Sequence, residues 1–427
     1  ALQSDQVVFG KDTLFRPPPQ NGAYIFMYPF LLKMDSSSNV CWAKTCEEGP
    51  VRFWDVAVDN DQNPYTVGMT NTNYFISFGT GFEFTSEAFT GVVLKYDSSG
   101  AVQWLRTKTG YDKYNNPNFF PIYRISVGPS KNVVVYGTSH EKVYFGNDTL
   151  VKSNPGDFEC NVYLKYDSLG NEMWGYENKH NGDDFDQSTE RLIVNRDGDI
   201  YIAGLYAGND LIVANDTLPV HPALVSRLFV AKIDKDGNPV WGRGTRGDGA
   251  FDGTDIEISL DQNENIYIGC SFLGDDIILG KDTLEALPTW NNKQIAVAKY
   301  SPNGALQWSL TNPSEHYDAN HTISVCHDGG VVVSGENSGK WVRFGNDTIR
   351  GKYYHSTSPL YVAKLTGKLT LNKQAQNPKC KNDQNGTVKL DPAGGIPPLQ
   401  VEWASGQTQH ELKDLPAGQY TVTLKDS

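Results

Sequence analysis

Acidic turns, histidines and cysteines are where chemistry would start in this chain. The turns carry Asp59 with Asp61, Asp197 with Asp199, and Asp261 with Glu264. Calcium asks for roughly six to eight oxygens from one dense loop, and none of these turns has a full Asp-x-Asp-x-Asp-Gly ladder. Their Asn, Asp and Gly content is that of tight hairpins, and they are read as such. Carboxylates from distant turns could still converge on one face, as in glycosidases, at separations of about 5–9 Å. The histidines (His140, His180, His221, His316, His321, His327, His355 and His410) sit mostly in polar stretches, with no HExxH or GxSxG, and are read as solvated loop residues. Cys41, Cys46, Cys160, Cys270, Cys326 and Cys380 form no CxxC pair, which argues against zinc. Cys270 and Cys326 lie in apolar strand patterns and read as small buried residues. The expected sets of catalytic, cofactor-binding and metal-binding residues are therefore empty.

A stronger regularity lies in lysine and tryptophan. Lys33, Lys95, Lys165, Lys232 and Lys299 each precede a tryptophan by nine positions: Trp42, Trp104, Trp174, Trp241 and Trp308. A worn sixth copy, Tyr361 to Leu365, has Lys364 and no tryptophan after it. The lysines could form a cationic ring; the preferred reading is a strand-end lysine paired with local carboxylates. The tryptophans could be sugar platforms, but a ring at the same place in each full copy reads better as packing between repeats.

The elements that must position these residues recur with them. Successive lysines are 62, 70, 67, 67 and 65 residues apart, a period that implies stacked or radially arranged supersecondary units. Each full repeat opens with an alternating strand, an Asn/Asp/Gly turn and a second strand, as in Leu192 to Gly204 and Ile258 to Gly269. The lysine and tryptophan strands follow as a second hairpin. Four strands in meander order make one β-propeller blade. Between the hairpins comes an insert such as Phe145-Gly146-Asn147-Asp148-Thr149-Leu150, with relatives at Phe9, Val213, Leu279 and Phe344; the copy at Phe78-Gly79 lacks the Asp-Thr-Leu ending. The first repeat has no opening hairpin and the last has no tryptophan strand, so six blades with an incomplete first one are expected, with seven as the alternative.

The pattern apolar-Ala-Lys-Tyr-Asp-x-x-Gly-x-x-x-Trp, preceded by Asp-x-x-x-Asn-x-Tyr-x-x-Gly, resembles the bacterial β-propeller repeat often called the seven-bladed propeller repeat. The likeness covers residues 1–368 and departs from the pattern at Ser38, where glycine is usual. It implies the fold and says little of activity, because propellers host many functions.

Past Lys368, residues 369–376 read as a connector and 377–427 as a small immunoglobulin-like β-sandwich. Cys380, Gly394-Gly395-Ile396-Pro397-Pro398, Trp403 and Leu415-Pro416-Ala417-Gly418-Gln419-Tyr420-Thr421-Val422 match in order the SprB repeat of large surface adhesins in gliding Bacteroidota. Leu399 stands where that family has tyrosine. The resemblance implies that Cys380 pairs with a cysteine beyond Ser427, and that the natural protein continues.

The Asp-Thr-Leu/Ile endings at Thr13, Thr149, Thr217, Thr283 and Thr348 read structurally as turns in which aspartate caps its own backbone and threonine enters a strand. They also resemble the O-glycosylation signal of exported Bacteroidota proteins, and exposed loops tolerate a bulky glycan. The Asn-x-Thr sequons at Asn147, Asn215 and Asn346 read as incidental in a bacterial protein.

A formal net charge of −13 sets aside nucleic acid and anionic lipid as partners. No apolar run is long enough to cross a bilayer, and mean hydropathy is −0.46. The expectation is an all-β protein: a propeller of six or seven blades, then a sandwich. It takes no cofactor. It is non-enzymatic, sits outside the cell or on its outer surface, and binds a protein or carbohydrate at the propeller face. By resemblance it is a glycoprotein cargo of the type IX secretion machinery, connected with adhesion and gliding motility. The alternative is a propeller-fold polysaccharide hydrolase or lyase, which convergent carboxylates at the hub would mark.

Overall fold

Alternating apolar residues, broken every few positions by Asp, Asn and Gly, fold each full repeat into two hairpins with a smaller one between them. A computed structural model describes residues 5–16, 29–112, 114–146, 148–151, 160–180, 186–207, 210–218, 225–251, 256–285, 293–312, 318–326, 329–337, 339, 341–344, 347–350, 360–365, 370–378, 383–393 and 400–425. Among them every regular element is a strand and there is no helix.

Four repeats form antiparallel sheets in the order first, second, lysine and tryptophan strand. In one, Val51–Val58, Pro64–Thr70, Thr90–Tyr96 and Val102–Lys108 follow one another. In the next, Ile122–Val127, Val133–Ser139, Cys160–Tyr166 and Glu172–Glu177 do the same. The following two run from Asp186–Val194 to Pro239–Gly244 and from Glu257–Leu260 to Leu306–Thr311. The chain's first lysine and tryptophan strands, Phe30–Met34 and Val40–Thr45, pair by themselves. Among the described residues the main sheet of the last repeat has three strands, ending at Leu360–Leu365.

Lysine sits opposite tryptophan in every such pair, and the register slips by one residue beside it. That β-bulge comes from the turn chemistry. Asp-x-x-Gly places its glycine at positive φ, as at Gly100 (86°), Gly170 (80°) and Gly237 (92°), and Ser38 takes the same conformation at 65° in the first copy.

The second and lysine strands are central, so both faces are buried; Val133–Ser139 is buried throughout. One face packs on the preceding sheet and the other on the next. Tyr65, Val67 and Val93 thus share a core with Ile125, Val135 and Leu164 of the following repeat, and Val134, Tyr136 and Tyr163 share one with Ile202, Phe229 and Ile233 of the repeat after.

After the repeats, Thr370–Gln376, Gly386–Ala393 and Glu411–Leu415 make a three-stranded sheet, and Gln400–Trp403 pairs with Val422–Lys425. Leu390, Val401, Trp403 and Leu412 form its core. The stretch expected as a connector is therefore largely strand, its backbone paired with Gly386–Ala393.

Candidate functional site

The first strands of successive sheets lie side by side. Asp55 accepts the amide of Ile125 at 3.0 Å, Ser126 that of Val194 at 3.0 Å, and Arg191 pairs with Glu257. Burial pushes the Asp55 carboxyl up from its ordinary value, and the Ile125 amide works against that rise. At one end of these strands the turns of four repeats border a single cavity of about 320 Å³, including Asp59, Gly128, Asn195, Arg196, Asp261 and Glu264.

Two carboxylates at this mouth, Asp59 and Asp261, are already engaged. Asp59 accepts the amides of Asp61 (2.9 Å) and Asn63 (3.0 Å), the Asn63 side chain and the Tyr65 hydroxyl. Asp261 is held in the same way by Asn263, Asn265 and Tyr267, and it faces the Lys299 ammonium at 3.4 Å. Burial raises the Asp261 carboxyl, but hydrogen bonds from Asn265 and Asn263 and the Lys299 charge together outweigh it and hold the group below its ordinary value. Asn195 does the same job without charge, accepting Asp197 and Asp199 amides at 3.0 and 2.8 Å. One oxygen of Glu264 faces Arg196 at 3.8 Å, and the other is buried with no hydrogen-bond partner among the described residues. Among the described residues no group of three or more His, Cys, Asp and Glu could hold a metal ion.

The repeated tryptophans join one repeat to the next. Trp42 Nε1 donates to the Ser98 carbonyl at 3.0 Å, Trp104 to Ser168 at 3.2 Å, Trp174 to Lys235 at 2.9 Å and Trp241 to Pro302 at 3.1 Å. Each acceptor lies in the lysine–tryptophan turn of the following repeat. Trp308 packs against Tyr267 and partly buries in the core it shares with the last repeat. The lysines divide into two groups. Lys232 and Lys299 pair with Asp199 and Asp261 of their own repeats, as the sequence suggests. Lys33, Lys95 and Lys165 instead reach the carbonyl that the neighbouring indole uses, at 3.1, 3.1 and 2.7 Å. Burial depresses the Lys95 and Lys165 ammonium groups.

The insert hairpins also differ from expectation in one bond. Three of their aspartates, expected to cap their own backbone, reach the repeat's outer strand. Asp12 accepts the Ala43 amide at 2.9 Å, Asp216 the Gly242 amide at 3.0 Å, and Asp282 the Ser309 hydroxyl at 3.0 Å. Leu14, Leu218 and Leu284 are buried. The threonine between these two anchors (Thr13, Thr217, Thr283, and likewise Thr348) is exposed. The side chain of Thr149, and Cys380 altogether, lie outside the described residues.

Sequence reasoning did not single out the arginine two places after tryptophan. Arg243 lies over the Trp241 ring at 5.5 Å and pairs with Asp216 at 2.9 Å; Arg106 lies over Trp104 at 5.5 Å. The signal was present as Trp-x-Arg in two repeats. No family model matches the chain, and no curated protein matches it. Among the described residues no helix is long and apolar enough to cross a membrane.

Proposed function

We propose that residues 1–368 form a β-propeller and that residues 377–427 belong to an immunoglobulin-like repeat, the whole acting as a display and binding module outside the cell. The observation that carries this reading is the convergence of four successive turns on one cavity. Serial face-to-face packing of sheets, with their first strands adjacent and their turns meeting, suits strands arranged around an axis. The ring exposes the mouth of turns as its binding face, for a carbohydrate or a protein.

A display role accords better with the mouth than hydrolysis does. A glycosidase needs two carboxyl groups free to act as acid and as base or nucleophile. Asp59 and Asp261 instead spend their oxygens on their own turns. The SprB-like tail and the Asp-Thr-Leu triplets fit a type IX secretion cargo at the cell surface. Two measurements test the proposal. Electron microscopy of the purified chain should show a ring with a central axis; an open rod ends the propeller reading. A glycan and surface-protein binding screen, run beside a polysaccharide turnover assay, should give binding without turnover; turnover reverses the functional reading.

A further inference from the structure

One insert breaks the pattern of its siblings, and a cleft opens there. At the tip of the regular inserts two residues separate a paired couple: Phe9 with Asp12, Val213 with Asp216, Leu279 with Asp282. In the insert of Phe75–Ser77 and Glu83–Thr85 the couple is Phe78 and Phe82, joined by a 3.1 Å bond from the Phe78 amide, with Gly79, Thr80 and Gly81 between them. Phe82 thus stands where the others have aspartate.

The Asp216 repeat shows what that aspartate does. Its carboxylate takes the Gly242 amide at 3.0 Å and Arg243 Nη1 at 2.9 Å. The corresponding donors in the Phe82 repeat are the Leu105 amide and Arg106 Nη1. Leu105 lies opposite Leu94 in the same register that puts Gly242 opposite Ala231, so its amide points outward likewise. Arg106 keeps every other contact of Arg243. Its Nε reaches Gly170 O at 2.6 Å (Arg243 reaches Gly304 O at 3.1 Å), and its Nη1 reaches Leu105 O at 2.8 Å (Arg243 reaches Gly242 O at 2.6 Å). A further bond, Nη2 to Leu169 O at 3.1 Å, fixes the guanidinium plane. Among the described residues Arg106 has no carboxylate partner. In place of the carboxylate there is a cavity of about 560 Å³, bordered by Phe82, Glu83, Phe84, Gln103, Trp104 and Arg106. That volume falls within the range of small-ligand sites.

We propose that this cleft binds a saccharide bearing a uronate, whose carboxylate takes the place the missing aspartate leaves. A carboxylate there receives the Leu105 amide and the locked Arg106 fork, a charge-assisted pair. The half-buried rings of Phe82 and Phe84 offer apolar surface to the C–H face of a sugar ring. The exposed Glu83 carboxylate and the side-chain carbonyl of Gln103, whose Nε2 already donates to Asp97 at 3.0 Å, supply acceptors for hydroxyls. The inference shares the carbohydrate reading above but not its location, since the cleft lies between an insert and its own outer strand.

The test is calorimetric titration of the full chain with disaccharides of glucuronate, galacturonate and mannuronate, their neutral counterparts, and succinate. At least one uronate disaccharide should bind saturably, and its neutral counterpart and succinate at least tenfold more weakly. Arg106→Gln should lower the affinity at least tenfold. Phe82→Asp should do so too, by supplying an internal carboxylate, while keeping or raising the thermal midpoint. No binding by any uronate, equal binding by succinate, or undiminished binding by a folded Phe82→Asp chain overturns the inference. Should Arg196→Ala abolish binding while Arg106→Gln spares it, the sugar sits at the mouth of turns; this inference then fails and the carbohydrate reading stands.

Discussion

The indole of Trp174 covers Gly237 of the next repeat: a β-carbon added at that glycine would lie 2.8 Å from Cδ2 of the ring. The same glycine is left-handed, with φ of 92°. Gly100, Gly170 and Gly304 stand in the same relation to Trp42, Trp104 and Trp241. One turn glycine therefore serves both the bulge of its own hairpin and the seat for its neighbour's tryptophan.

Gly237→Ala should accordingly destabilise the chain through both effects. Left-handed backbone costs a side-chain-bearing residue about 1–2 kcal/mol, and forcing an extra carbon into a packed contact costs about 1–3 kcal/mol. A loss of roughly 2 kcal/mol or more is expected in urea denaturation. Ser38→Gly, at a left-handed position that a side chain already occupies, should shift the midpoint the other way. A Gly237→Ala midpoint equal to that of the parent chain would contradict the interlock.

Trp241→Phe isolates the polar half of the same interlock. Phenylalanine keeps a ring in the buried site but loses the donor to Pro302 O and weakens the stack with Arg243. A net hydrogen bond contributes about 0.5–1.5 kcal/mol, so a loss of roughly 1–2 kcal/mol is expected, again from urea midpoints. No measurable change would mean that the indole acts by bulk alone.

The recurrence of lysine and tryptophan at fixed spacing was enough to order four strands per repeat, and the sheets follow that order. The acceptors were not legible. Trp42 reaches a carbonyl 56 residues on and Trp104 one 64 residues on, and a backbone oxygen leaves no mark in the residue types. The same holds for the backbone amides that Asp12 and Asp216 accept. The connector expected over 369–376 misled because Lys373, Gln374 and Gln376 are polar, and an exposed strand can be polar on nearly every position. The cleft was half visible: the insert at Phe78 stood out as the copy without Asp-Thr-Leu, but its meaning needed the Arg243–Asp216 pair for comparison.

Acid should loosen the hairpin turns. Asp35 is held below its ordinary 3.8 by the Asn39 side chain and amide, and Asp97 by the Ser99 hydroxyl and the Ala101 amide. A carboxyl whose folded value lies below its unfolded one contributes stability that is present above the unfolded value and lost as pH falls through the folded one. Urea midpoints should therefore stay level down to about the ordinary carboxylate range and decline below it. Asp97→Asn should flatten part of that decline, because a neutral oxygen can accept the same amides, as Asn195 does. An acid profile unchanged in Asp97→Asn would remove this turn from the cause.

The thiols should separate by burial. Cys41 is exposed, whereas Cys46 and Cys270 are buried, and burial pushes the Cys46 thiol up to about 12. The thiolate is the reactive form. Under native conditions at neutral pH, peptide mapping after a short iodoacetamide pulse should find Cys41 modified and Cys46 and Cys270 intact until urea is added. Early modification of Cys46 would mean that its surroundings open readily.

The Asp-Thr-Leu triplets lead to a prediction about modification. In three inserts the aspartate is taken up by the outer strand and the leucine by the core, which accounts for both residues without any modification. The threonine has no such structural duty: Thr13, Thr217 and Thr283 point to solvent from short edge hairpins, and Thr348 is exposed as well. A glycan there would displace nothing that holds the sheet together. Protein isolated from its native host should therefore carry mass above that of the bare sequence, with glycopeptides centred on these threonines. Changing a single threonine to valine should remove one glycan and leave the urea midpoint within about 0.5 kcal/mol, as for other surface changes. Aspartate-to-alanine changes at Asp12 or Asp216 should lower stability in unmodified recombinant protein as well, since the bonds they lose are internal. An intact mass equal to the bare sequence would leave the triplets as structural devices alone.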